Sequence, residues 1–284
     1  MALTAPAVSE AVAALLPGGR LHLQHGPIDI IAEAFGSPVA VRAGYGRAAA
    51  RFATVLQELV AELPALRSPA AGVEGGIARR MASAVAPFHP AFLTPMAAVA
   101  GAVAEEVLAA LIGPGIARAY ANNCGDIALW LSPGERLTCA LAVSGGVDRV
   151  TVASTDPVRG IATSGWRGRS FSLGIADAVT VVARTAAMAD AAATMVANAV
   201  DLAHPGIRRR PACDLHCDSD LGQRLVTVAV PELTPEDRAV ALEAGLRAAE
   251  AFRSRRLIEG AALFLQGERR VAGALALEMG DASG

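Results

Sequence analysis

The chain has 284 residues, a formal net charge of −2 and 53% hydrophobic residues, and all 25 of its basic residues are arginine. The absence of lysine excludes Schiff-base catalysis, a lysine general base and a lysine-anchored phosphate loop. An aromatic content of 4% and a slightly acidic balance exclude a nucleic-acid surface built on charge and stacking, and no run of about 18 apolar residues escapes charge, proline or glycine, so no membrane span is expected.

Residues 1–16 are mildly apolar, but no basic residue precedes Arg20 and Glu10 interrupts the stretch, so they do not read as a signal peptide. Cys124, Cys139, Cys213 and Cys217 then read as reduced thiols of a cytoplasmic protein. The length predicts one domain over residues 1–279, with 280–284 a frayed tail.

In chain order, residues 20–23, 28–32 and 39–42 are short apolar or alternating runs between glycine and proline breaks, the pattern of antiparallel strands. Over 46–66 the period changes: Phe52, Val55, Leu56, Leu59, Val60 and Leu63 recur at helical spacing, and Pro64 and Pro69 stand where the helix should stop. Thr94 and Pro95 suit a helix start, with threonine as cap and proline in the first turn, leading into a small-residue helix over 96–111. Strands are expected at 116–121, 126–131, 136–143 and 149–153, then at 176–184 and 221–230, with helices over 185–200 and 235–258. Runs of strands with helices set between them indicate an α+β fold with an antiparallel sheet. The alanine-rich helices leave room for a homodimer interface.

The most informative stretch is 160–198. A glycine-bounded turn carrying Thr163 and Ser164 precedes a strand, and the following helix holds Asp190 and Thr194 four residues apart, on one face. Carboxylate, hydroxyl and a carbonyl of the 162–165 turn are hard oxygen donors of the kind Mg²⁺ or Ca²⁺ takes. An exposed aspartate beside a threonine bonded to its own helix explains the same pair. Arg167 and Arg169 flank the turn and suit a phosphate or carboxylate. His89, just before the predicted helix cap, is a candidate acid or donor. Cys213, His216 and Cys217 place three zinc donors within five residues, but no second cluster completes a tetrahedron.

The order Ala162–Thr163–Ser164–Gly165, a Val-Thr-Val-Val-Ala strand, then Ala189–Asp190 and Ala192–Ala193–Thr194 resembles the ApbE-like superfamily, known for flavin transferases that move FMN from FAD onto a protein threonine. Asn122–Asn123–Cys124–Gly125–Asp126 resembles that family's Asn-x-Gly-Gly-Asp segment, with Cys124 in place of a glycine. Gly26–Pro27–Ile28–Asp29, the segment from Thr94 to Gly101, and Ser219–Asp220–Leu221–Gly222 extend the resemblance along nearly the whole chain, to the family's cytoplasmic and largely uncharacterised branch.

The resemblance implies a T-fold-like, two-layer architecture of antiparallel sheet backed by helices. It implies Ala162, Asp190 and Thr194 as metal positions for Mg²⁺. It further implies that Asn122, Asn123, Gly125, Asp126, Thr163, Ser164 and Gly165 contact FAD, FMN or another small phosphorylated ligand; Arg167 joins them by its place beside the turn, and Asp126 and His89 are the catalytic candidates. The transferases also carry a His-x-x-Asp-Pro-x-Thr-Gly element between turn and strand. Residues 166–175 contain no histidine, proline or acidic residue, so flavin transfer itself is not implied. A non-catalytic accessory role and an enzyme of sulfur assimilation or one-carbon-cofactor synthesis, using Asp126, His89 or Cys124, are the alternatives.

Overall fold

Fourteen strands and seven α-helices make up the computed structural model, which describes residues 10–69, 72–143, 146–273 and 277–279. The chain opens with β1 (Val12–Leu15), β2 (Leu21–His25) and β3 (Ile28–Gly36), followed by α1 (Pro38–Ala61), the short α2 (Leu63–Leu66) and α3 (Gly76–Val85). After two 3-10 turns, Ala86–Phe88 and Pro95–Ala98, come α4 (Val99–Leu111), β4 (Ile116–Asn123), β5 (Asp126–Leu131), β6 (Arg136–Val143), β7 (Gly146–Ala153), β8 (Gly160–Ser164) and β9 (Ala178–Ala183). The last third holds α5 (Ala186–Ala199), β10 (Arg208–Pro211), α6 (Ala212–Leu215), β11 (Leu225–Ala229), α7 (Pro235–Ser254), β12 (Gly260–Leu265), β13 (Glu268–Ala272) and β14 (Leu277–Met279).

Nine strands form one antiparallel sheet in the order β1-β2-β3-β4-β5-β8-β9-β12-β13. This is the α+β arrangement expected, with helices on one face. Side chains alternate across the sheet: Ala119 and Ala121 of β4, Ala128 of β5, Ala162 of β8 and Val179, Val181 and Ala183 of β9 join the helices in one large core. On the opposite face Ile127, Leu129, Leu131, Ile161 and Val182 pack against Cys139, Val150 and Val152 of a small sheet ordered β14-β7-β6, which adds a partial third layer. Among the described residues no helix is long and apolar enough to cross a membrane.

The expected strand at 39–42 is instead the first turn of α1. Ser37 caps that helix by accepting from the Ala40 amide at 3.3 Å, and Pro38 occupies its first turn; this is the same hydroxyl-proline start read at residues 94 and 95. The buried face of α1, Tyr45, Ala48, Phe52, Val55 and Leu59, keeps the helical spacing from its first turns onward. At Thr94 the expectation also changes: its hydroxyl bonds the Asp220 carboxylate and does not cap a helix amide. The segment therefore enters as a 3-10 turn and becomes α-helical only at Val99. The turn expected at 162–165 is largely strand, β8, which pairs with both β5 and β9. Helix α3 and strands β12 and β13 had no counterpart in the sequence reading. The expected tail at 280–284 lies outside the described residues.

Candidate functional site

Two aspartates approach each other where the sheet meets α4 and α5. Asp126 starts β5, and by the alternation that puts Ala128 in the helix-side core it faces the helices. Its Oδ1 accepts from the Thr163 amide at 3.2 Å. Asp190, in the second turn of α5, accepts from the Gly101 amide in the first turn of α4 at 3.0 Å. Asn123 Nδ2 donates to the Ala100 carbonyl at 3.2 Å and pins the same turn to the end of β4.

Both aspartates are half-buried. Loss of water pushes the Asp190 carboxyl up to about 7 against the opposing pull of the Gly101 and Ala100 amides. Asp126 is raised well above its ordinary value, first by burial and then by the charge of Asp190, with the Thr163 amide pulling the other way. The ionised form of Asp126 is thus disfavoured by its neighbour as well as by burial.

The helices exchange carboxylates. Asp190 of α5 receives the amides that open α4, while Glu105 of α4 accepts from the Ala187 amide at the start of α5 at 2.8 Å. Each acid compensates the positive end of the helix that carries the other. The backbones meet directly: a Cβ on Gly101 would lie 2.3 Å from the Ala186 carbonyl oxygen, and one on Gly160 would lie 2.3 Å from Thr185 and Ala186 backbone atoms.

The sequence candidates divide between the two faces of the sheet. Asn123, Asp126, Ala162 and Asp190 lie on the helix side, and Thr194 stands one turn after Asp190, half-buried. Thr163 turns to the other face, where its hydroxyl meets Thr180 at 2.9 Å, while its amide still serves Asp126. Asn122 builds the hairpin between β4 and β5: its Oδ1 accepts from the Gly125 amide at 2.7 Å across a turn in which Cys124 and Gly125 both have positive φ, 56° and 112°. Cys124 is exposed and accepts from Arg169. Ser164 ends β8 half-buried, and Gly165 lies so close to the backbone at Asp177 that a Cβ would come within 2.5 Å of its carbonyl oxygen.

His89 is exposed in the segment between α3 and α4, and no hydrogen bond at the carboxylate pair involves it. Cys213 accepts from Gln223 Nε2 at 3.2 Å. Among the described residues no group of three or more His, Cys, Asp or Glu side chains is placed to hold a metal, so the Cys213, His216 and Cys217 run does not form a zinc set there. Asp177, absent from the sequence candidates, is the buried partner of Arg167 at 2.7 Å. An acidic residue directly before the wholly buried strand β9 was the available signal.

The chain matches the family model described as AbpE bacteria over residues 13–271. It is 38% identical over 128 residues to a UPF0280 protein of Methanothrix thermoacetophila, covering 44% of this chain and 52% of that protein. It is 34% identical over 155 residues to one of Methanopyrus kandleri, covering 50% and 59%. It thus spans about half the length of the curated relatives it matches. Among solved structures, it aligns with the apo form of the Pseudomonas stutzeri flavinyl transferase ApbE at 15% identity and a TM-score of 0.38, over 96% of this chain and 94% of that one.

Proposed function

The chain belongs to this ApbE-like bacterial family, and from that premise we propose that it binds a flavin or another small phosphorylated molecule together with Mg²⁺. The observation that carries the reading is the Asp126–Asp190 pair, two desolvated carboxyls that burial and, at Asp126, the neighbouring charge make weaker acids, which marks a place short of positive charge. Hard oxygen donors fit Mg²⁺. Asp190, the Ala162 carbonyl and the Thr194 hydroxyl would hold the ion, with Asp126 beside them. Such an ion supplies charge neutralisation to a phosphate or diphosphate. Asn123 and the first turn of α4 fix where Asp190 stands, and in a chain without lysine Arg167 is a side chain beside the turn that supplies a cation. Four free cysteines suit a reducing, cytoplasmic setting.

Calorimetry on the purified chain with Mg²⁺ and FAD, FMN or ADP tests the reading. We expect binding that disappears on chelation and weakens at least about tenfold in Asp190→Ala, the loss of one charged ligand contact. Absence of Mg²⁺-dependent binding to all three would overturn it.

The exchange of carboxylates between α4 and α5 favours a second reading, in which Asp190 serves the fold alone and the protein is a non-catalytic accessory. In that case Asp190→Asn lowers stability and leaves every ligand titration at the wild-type value.

A further inference from the structure

Arg167 is held in an unusual way for an exposed arginine. Its side chain is 57% exposed, whereas its partner Asp177 is 2% exposed. Exposed ion pairs contribute little because both side chains must be ordered from solvent. Here one partner is fixed beforehand: Asp177 Oδ2 accepts from the Gln266 amide at 2.6 Å, its own amide donates to the Phe264 carbonyl at 2.9 Å, and its Oδ1 accepts from Trp166 Nε1 at 3.3 Å and from Arg167 Nε at 2.7 Å. The guanidinium also lies over the Trp166 ring, 5.1 Å from its centroid.

Only Nε of Arg167 is used in these bonds. Its two Nη groups carry four N–H donors, and among the described residues they donate no hydrogen bond. The bidentate donors of the fork are therefore left over on a side chain that is 57% exposed, while a buried acid and an indole fix its root. Its turn follows directly on β8, whose Thr163 amide bonds Asp126. Arg169, two residues on, leans on Cys124 in the hairpin that leads into Asp126. The turn thus borders the carboxylate pair's end of the sheet.

We propose that Asp177 is a positioning residue that presents Arg167 as the phosphate-recognising group of this site; the role rests on the phosphorylated-ligand reading above. A buried carboxylate that orders a guanidinium in advance lowers the entropy lost when the ligand binds. The preference created is for a phosphate or diphosphate over its dephosphorylated counterpart, since planar bidentate donors match phosphate oxygens.

The test compares FMN with riboflavin and ADP with adenosine, in Mg²⁺, on the wild-type chain and on Arg167→Gln, Arg167→Lys and Asp177→Asn, each checked for wild-type circular dichroism. In Arg167→Gln the phosphorylated probes should weaken roughly ten- to a hundredfold, the scale of a charged hydrogen bond, with riboflavin and adenosine unchanged. Arg167→Lys should not restore the preference, because an ammonium lacks the Nε–H that Asp177 grips. Asp177→Asn should reduce the ratio of phosphorylated to unphosphorylated affinity by about tenfold. A wild-type ratio in Asp177→Asn, with or without lost stability, or full rescue by Arg167→Lys would overturn the positioning role. If the wild-type chain binds neither FMN nor ADP, the phosphorylated-ligand reading itself fails, whereas binding that all three variants retain removes only the role given to Asp177 and Arg167.

Discussion

At Cys124 the backbone has φ 56° and at its neighbour Gly125 112°. Left-handed backbone costs a residue with a Cβ about 1 kcal/mol, and the family's segment has a glycine there. Cys124→Gly is expected to stabilise the protein by up to about 1 kcal/mol in urea unfolding, less whatever the contact with Arg169 contributes. Asp190 yields a prediction in pH. Its folded carboxyl is pushed up to about 7 from an ordinary value of 3.8, so the folded state holds the proton more tightly than the unfolded chain between those limits. Stability of the metal-free protein is therefore greatest below about pH 4 as far as this group is concerned, declines as pH rises from there to about 7, and then levels off. Denaturation in EDTA at pH 5 and pH 8 measures the decline, and Asp190→Asn should flatten it. The chemistry of Asp190 was legible in the sequence as an oxygen donor at helical spacing from Thr194, and that of Asp126 through the resemblance carried by residues 122–126. Their environment was not, because the neighbour that raises Asp126 and the amides that hold Asp190 come from segments 64 and 89 residues away.

Helices α4 and α5 show what pairs of elements add. Each gives an acid to the other's first turn, and their backbones touch at Gly101 and Ala186. A methyl group at Gly101 or Gly160 would fall on backbone atoms that no rotamer change can clear. Gly101→Ala and Gly160→Ala should each cost about 3 kcal/mol, the upper part of the range for overpacking, read as a drop in urea midpoint with an unchanged slope. Element type was legible wherever a long apolar period ran, as in α5 and α7. It was misread at 39–42, where four residues with an apolar majority fit a strand as well as a helix and only the Ser37–Pro38 cap decides. Thr94 shows the converse: a hydroxyl placed to cap was drawn to Asp220, far along the chain, a competition that local patterns do not contain.

Across the whole molecule the sheet order joins β5 to β8 and β9 to β12, and these long-range pairings assemble the site. Antiparallel α+β architecture followed from strands that come in runs, with helices set between the runs. The division of the candidates between two faces did not, because it depends on the register of β4, β5 and β8. Ligand and Mg²⁺ bound to the folded chain should raise its stability by ~2.7 kcal/mol at a hundredfold excess over Kd, visible as a concentration-dependent melting temperature whose rise Asp190→Ala shifts to higher ligand concentration. Alanine abundance also separates into two populations on this scaffold. In α5, Ala186, Ala187, Ala189, Ala191, Ala192, Ala193 and Ala197 are buried, against neighbours already at backbone contact distance. In α1 other alanines face solvent, Ala50 and Ala53 among them. A library randomised at both sets and selected for folding should return alanine, glycine or serine along α5 and nearly any residue on the outside of α1. The recovered sequences would then distinguish alanine imposed by genome composition from alanine imposed by geometry.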